Sequence, residues 1–379
     1  MRKIVLLLTV VGVAFTALSC RAGDDDVIRI GAIFPLTGRV AHFGVASRDG
    51  GLLAVEQINE AGGLLGKRVV LLSEDDQGTP AMTIDAFSRL TMRERVNLIF
   101  GSSTSGATMA ITELAQDLGI VVMTPSATNI NITRAGDFIF RACFTDPFQG
   151  AVNADFAFYN LGVSRAAVLF DVGADYNRGL AEAFRDRFVS LGGEIVAWET
   201  YMTGARDFSS QVTRIRATEP ELVFLPNYYE DVALQIRQLR AQGVAATLLG
   251  GDGWDGLTDH IGAEAIGGFW SSGFSVDTPD PRGVAFVEAF EARFNQPATQ
   301  FAALGYDAIR LLAAAIEIAG SADPAAVRDA LMEVDDYFVT GRIRFDENRN
   351  PIKRVVFLEI QERDGGLVNV YTTTVYPEY

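Results

Sequence analysis

Three short stretches carry side chains suited to holding a small polar solute. Two are hydroxyl-rich turns, Gly101-Ser102-Ser103-Thr104-Ser105-Gly106 and Thr124-Pro125-Ser126-Ala127-Thr128-Asn129. The third, Gly250-Gly251-Asp252, sets a carboxylate beyond two glycines. The first turn opens onto a helical pattern starting near Gly106. A helix start offers unpaired N–H groups and a partial positive charge, which suits a carboxylate. Ser105 and Thr128 could each add a hydroxyl donor. Asp252 suits an ammonium, and the rings of Tyr176 and Tyr228 belong to the same half of the chain. A donor cradle facing an anionic side chain fits a zwitterion, an α-amino acid. Each residue alone has a plainer use. Ser103 and Ser105 serve as helix caps, an effect of about 1 kcal/mol. Thr128 and Asp252 hold turns, and the tyrosines pack half-buried. Joint placement separates the two readings. All these residues fall just beyond predicted strands, and open parallel sheets bind ligands outside the carboxyl ends of their strands.

Catalysis fits less well. Gly101 to Gly106 lacks the G-x-S-x-G spacing of a nucleophile elbow. The only histidines, His42 and His260, lie in no motif. Gly62 to Lys67 lacks the spacing and trailing hydroxyl of a phosphate loop, and no G-x-G-x-x-G follows the first strand. Neither an enzyme, a cofactor nor a metal is expected. The formal charge of −16 becomes −18 if Arg2 and Lys3 are removed with a signal segment. Such acidity disfavours a nucleic-acid partner, whose phosphates need a basic face.

The elements that must position these residues alternate along the chain. Strands are predicted at 28–33, 69–72, 97–100 and 120–123, with helices at 45–61, 80–93 and 107–118 between and after them. The pattern restarts with helices at 147–161, 179–191, 208–217 and 231–242 and strands at 166–170, 194–199, 221–225 and 247–249. Alternation of this kind implies right-handed crossovers and a parallel sheet covered on both faces. The tail differs, with helices at 283–294, 299–318 and 324–334, then strands at 342–345, 355–361 and 368–375. It can pack onto either half. If it visits both, the chain passes between the halves three times, a stiffer hinge than one linker. The fold class expected is α/β, with two doubly wound lobes around parallel central sheets.

The N-terminus belongs to export, not to the fold. Met1-Arg2-Lys3 is basic, and the apolar run Ile4 to Leu18 is shorter than the about 20 residues that span a bilayer. It ends in Ala17-Leu18-Ser19-Cys20, which resembles a lipobox with its leucine one position late. Cys20 is the expected lipidation site, with ordinary cleavage near Ala17 or Ser19 as the alternative. The expected division is a signal at 1–19, a lipidated tether at 20–26, a first lobe of 27–146 and 276–350, and a second of 147–275 and 351–379. Cys143 is the one other cysteine. Once Cys20 is acylated it has no intramolecular partner.

Seven segments, in order over the mature chain, resemble the leucine/isoleucine/valine-binding receptors of ABC importers. They are Gly31 to Gly38, Ala54 to Gly63, Gly101 to Gly106, Thr124 to Thr128, Asp171 to Leu180, Asp207 to Ser209 and Thr340 to Asp346. The resemblance implies the type 1 periplasmic-binding fold, two lobes joined by three crossovers. It implies that Ser105 and Thr128 bind a ligand carboxylate, that Ser103 and Ser126 offer main-chain carbonyls to an ammonium, and that Asp252 stands where those receptors have a glutamate. Tyr176 and Tyr228 would close from the second lobe, while Phe43 and Tyr306 would line the side-chain pocket. Polar Ser103 and Thr104 replace a hydrophobic residue and a cysteine, and Gly78 replaces that cysteine's partner. A branched-chain amino acid, or a related neutral or polar one, is the implied solute. The implied partner is an inner-membrane permease, served by a monomer at the extracytoplasmic face. A sensing subunit of a signalling receptor, or a receptor for a short amide or urea, is the alternative.

Overall fold

The structure, a computed structural model, describes residues 27–376. The expected signal at 1–19, the Cys20 tether and residues 377–379 lie outside the described residues. The chain begins β1 (Val27–Phe34), α1 (Ala41–Glu60), β2 (Arg68–Asp75), α2 (Pro80–Ser88), β3 (Leu98–Gly101), α3 (Ser105–Leu118), β4 (Val121–Thr124) and β5 (Ile139–Arg141). Those strands form one parallel sheet in the order β2-β1-β3-β4-β5. The chain then crosses into α4 (Asp146–Asp155), β6 (Arg165–Asp171), α5 (Asp175–Ser190), β7 (Glu194–Tyr201), α6 (Ser209–Ala217), β8 (Leu222–Leu225), α7 (Tyr229–Ala241), β9 (Thr247–Gly250) and β10 (Phe269–Ser272). It returns through α8 (Pro281–Phe294), α9 (Gln300–Ala319), α10 (Pro324–Leu331) and the antiparallel hairpin of β11 (Asp335–Phe338) and β12 (Gly341–Arg344). A third crossing leads to β13 (Val355–Arg363) and β14 (Gly366–Val375). The second sheet runs β7-β6-β8-β9-β10-β13-β14. It is parallel from β7 to β10 and antiparallel at β13 and β14. Two α/β lobes joined by three crossovers result.

Both faces of each sheet are buried, so successive strand residues feed different cores. In the first lobe, Ile30, Ala32, Phe34, Phe100 and Met123 meet Ile309, Leu312 and Ile316 of α9. On the other face, Ile33, Ile99 and Val122 meet Phe87 and Ile111. In the second lobe, Ala167, Leu169, Val223 and Leu248 pack with Val212 and Ile236, while Val168, Phe170 and Phe224 pack with Leu180 and Phe184.

The departures are local. Helix α1 begins at Ala41, four residues ahead of the expected Val45, which puts Phe43 on the helix. Strands β5, β10 and β11, three or four residues long, are not anticipated. Both α2 and α4 stop early, and their last turns widen to i→i+5 bonding at Arg89–Arg93 and Phe156–Asn160. The tail divides: α8 to β12 complete the first lobe, and β13 and β14 extend the second sheet.

Helices α1 and α9 approach closely enough to set the mouth of the cleft. A Cβ on Gly50 would lie 1.9 Å from the Ala302 carbonyl oxygen, and one on Gly305 would lie 2.1 Å from that of Ser47. Only glycine allows that contact. It brings Phe43 and Phe301 into a stack with centroids 4.2 Å apart. The crossovers are tied together as well. Lys353 donates to the Ala142 carbonyl (2.8 Å) and to Thr340 Oγ1, and Asp307 of α9 accepts from the Val339 and Thr340 N–H groups at 2.9 and 2.8 Å.

Candidate functional site

The β3–α3 turn is built by hydroxyls that brace its backbone. Thr124 Oγ1 and Thr108 Oγ1 donate to the Ser102 carbonyl at 2.6 and 3.1 Å, and Ser126 Oγ donates to the Ser103 carbonyl at 2.9 Å. The two hydroxyl-rich turns are thereby locked side by side. Thr104 is the N-cap of α3 and makes no side-chain capping bond. Ser103 Oγ faces Ser47 Oγ at 3.5 Å, and Ser105 Oγ accepts from the Asn129 N–H at 3.2 Å. Neither serine therefore works as a helix cap, and no capping side chain satisfies the N–H groups of the first turn. Thr128 Oγ1 is buried with no hydrogen-bond partner. The Ser103 carbonyl keeps a second lone pair despite its bond to Ser126.

The facing wall comes from the second lobe. Asp252 opens a short 3-10 turn after β9, Tyr176 is the second residue of α5, and Tyr228 caps the start of α7. Tyr176 donates its hydroxyl to Asp252 Oδ1 at 2.8 Å and accepts from the Gly253 N–H at 3.1 Å. The two tyrosine rings stack in parallel with centroids 5.0 Å apart. Asn227 fixes the loop beneath them, donating to the Leu169 carbonyl at 2.8 Å and accepting from Asn177 at 2.7 Å. Phe43 and Phe301 close the side, and the Phe43 ring meets Tyr228 edge-on at 5.6 Å.

Together Phe43, Ser103, Ser105, Ser126, Thr128, Tyr176, Tyr228, Asp252, Gly253 and Phe301 line a cavity of only about 10 Å³. Roomier grooves lie between α1, α8 and α9 and beside β14, but the small cavity is where donors and a carboxylate face each other across the lobes. One expected residue is elsewhere. Tyr306 lines the groove of the first lobe, donating to Gln57 Oε1 at 2.6 Å and meeting Phe286. Phe301 takes the cavity position instead. Five residues on one helix are about 140° apart around its axis, so the two rings cannot share a face. Phe301 and Gly253 were missed by the sequence reading. Phe301 follows the capping Thr299, but nothing local separates it from the apolar run of α9.

Burial sets the electrostatics. The Asp252 carboxyl is pushed up to about 6 by desolvation, with the Tyr176 hydroxyl opposing the rise. Desolvation and the Asp252 charge together raise both tyrosines well above their ordinary value. Behind Thr128 lies a second buried carboxyl, Asp146, raised to about 8 by desolvation and by the Asp252 charge. The first-lobe residues that line the cavity are uncharged, so Asp252 is the anionic side chain at its wall.

Residues 27–366 match a family described as periplasmic binding protein. A Leu/Ile/Val-binding protein of Rhizobium johnstonii is 35% identical over 329 residues, covering 86% of this chain and 88% of that one. This chain is a member of the periplasmic binding protein family. Solved structures agree. A leucine-binding protein of Thermotoga maritima superposes with a TM-score of 0.86 at 31% identity, covering 92% of this chain and 99% of that one. The substrate-binding protein of a branched-chain amino acid transporter from Streptococcus pneumoniae, in complex with isoleucine, gives 0.85 at 30% identity, covering 93% and 100%.

The two lobes are in contact around the site. Gln300 donates to the Asp252 carbonyl at 2.9 Å, and Asn129 donates to the Asp175 carbonyl at 2.9 Å. At the rim, Arg39 pairs with Glu230 (3.1 Å) and with Asp231, and Tyr229 donates to the Arg39 carbonyl at 2.9 Å. His42 Nε2 meets Asp255 Oδ1 at 2.9 Å. Burial works against the charged imidazole, but the hydrogen bond and charge of Asp255 outweigh it and raise its pKa. Among the described residues no helix is long and apolar enough to cross a membrane, and no group of three or more His, Cys, Asp or Glu is arranged to hold a metal.

Proposed function

We propose that this periplasmic binding protein is the extracytoplasmic solute receptor of an ABC importer, and that it closes on a free α-amino acid without altering it. One observation carries the reading: Asp252 faces, across a small cavity between lobes, the unsatisfied donors of the α3 start and the Thr128 hydroxyl. A carboxylate suits that cradle and an ammonium suits Asp252. A molecule with both ends ties the lobes together, and only a ligand that prefers the closed state can shift the equilibrium toward it. Ser105 and Thr128 take the carboxylate, the Ser103 and Ser126 carbonyls accept from the ammonium, and Tyr176 and Tyr228 cover the ligand. Phe43 and Phe301 bound the side-chain end. The relatives named above for leucine, isoleucine or valine support an amino acid as the solute. Those relatives favour a branched-chain member of that class, and the hydroxyl-lined wall favours a smaller neutral or polar one. Cys20 carries the lipid that keeps the monomer near its permease.

A thermal-shift screen of free amino acids, their amides and urea tests the solute class. At a hundredfold excess over Kd a true ligand stabilises by about 2.7 kcal/mol, which raises the melting temperature by several degrees. If no free α-amino acid does so, the reading is wrong. Cys20→Ser should release the protein from membranes into the soluble fraction.

A further inference from the structure

Asp146 sits behind the carboxylate cradle, beside the Thr128 hydroxyl. It is the first residue of α4, on the first crossover, and is 1% exposed. Its N–H is tied to the Thr128 carbonyl at 2.9 Å. Both its carboxyl oxygens and Thr128 Oγ1 lack a hydrogen-bond partner of good geometry. The Thr128 hydroxyl is nevertheless close enough to oppose the rise in the carboxyl's pKa. Two neighbouring groups are thus left unsatisfied at the back of one ligand donor. An ionised carboxylate there is costly without a partner. It would also draw the Thr128 proton toward itself and repel a second carboxylate beyond.

We propose that Asp146 is a positioning residue for ligand capture: it must hold a proton, donate it to Thr128 Oγ1, and so leave the Thr128 O–H to donate to the carboxylate of the bound amino acid. The proposal rests on the amino-acid reading above. Binding a carboxylate then stabilises the protonated form of Asp146, so capture takes up a proton wherever Asp146 is partly ionised beforehand. Burial places that range near pH 8. Charged and titratable groups surround Asp146 from several elements. Arg141 of β5 is buried, gives Nη1 and Nη2 to the Ala127 and Asn129 carbonyls, and favours ionisation. Cys143 stays protonated, its thiol pushed up to about 12. Asp252 lies across the cavity, and Asp175 starts α5. Lys353, on the third crossover, also titrates near 8 and donates to the Ala142 carbonyl. Its proton loss is common to wild type and to variants at position 146, so their difference isolates Asp146.

The test is calorimetry with the best amino acid from the screen, between pH 7 and 8.8, in two buffers of different ionisation enthalpy. Wild type should bind about sevenfold more weakly at pH 8.8 than at pH 7, and should take up about three-quarters of a proton near pH 8.5. Asp146→Asn, which carries a permanent donor, should lose the uptake and flatten the profile to that of the ligand's own ammonium. Asp146→Ser serves if the first variant does not fold. Wild-type binding without proton uptake overturns the proposal, as does uptake that persists in both variants. Binding of no amino acid at all sinks the amino-acid reading itself, and this inference with it.

Discussion

Asp252→Asn separates the energetics of binding from those of folding. Raising a carboxyl from 3.8 to about 6 costs its charged form roughly 3 kcal/mol. At neutral pH the native protein carries that penalty, because Asp252 is buried and ionised with no cation beside it to offset the desolvation, the Tyr176 hydroxyl and Gln149 opposing it only in part. A ligand ammonium placed against it recovers a similar amount, on the order of 100-fold in affinity. Asparagine retains an oxygen to accept the Tyr176 hydroxyl but has no charge to offer. Calorimetry at pH 7 should therefore show binding weakened by about 100-fold, while the melting temperature of the free protein holds or rises. Stability against pH gives a second signature. Below about pH 4 folded and unfolded chains both keep the proton. Between about pH 4 and 6 the unfolded chain releases it first, so native stability falls as pH rises through that window, by roughly 3 kcal/mol. The variant should lack this fall. A Kd within threefold of wild type would refute the ammonium role, and an unchanged pH profile of stability would refute the burial argument.

Removing both cradle hydroxyls, with Ser105→Ala and Thr128→Ala together, should weaken free amino acids at least about tenfold, since each hydrogen bond to a charged group contributes about 1.5–3 kcal/mol; equal affinity of wild type for an acid and its amide would contradict the cradle. Gly50→Ala places a methyl 1.9 Å from the Ala302 carbonyl and should lower stability by about 1–3 kcal/mol while parting Phe43 from Phe301, so an unchanged melting temperature would show that α1 and α9 have slack. The His42–Asp255 pair has its imidazole pKa raised in the closed form, so its support for closure is complete below the ordinary value of about 6.5 and fades as pH rises through the closed-form value. Affinity of wild type relative to His42→Gln should therefore decline from pH 5.5 to 8, by less than about tenfold because the histidine is partly exposed; a constant ratio would remove the pair from the latch.

Several features could be read without coordinates because they repeat with a period. Two rounds of strand and helix, with the central strands buried on both faces, leave a pattern that local chemistry dictates, and the two sheets follow from it. The hydroxyl turns and Asp252 were legible because strand ends are where such sheets bind. Strands β5, β10 and β11 were not, since they lie outside the regular strand–helix alternation that marks the equally short β3, β4, β8 and β9. Tyr306 was misplaced because a position five residues from Phe301 on the same helix points elsewhere.

Sequence alone thus determined the layers, the two-lobed plan and the residue types gathered at the strand ends, since those depend on neighbours a few positions away. It could not determine which aromatic ring reaches the cavity, whether Ser103 and Ser105 cap α3, or that Asp146 stands behind Thr128. Those depend on how closely α1 meets α9 and on how three crossovers bring residues more than a hundred positions apart into contact. Burial depth, and with it the raised carboxyls of Asp252 and Asp146, exists only once both lobes and the chain between them exclude water from the same small space.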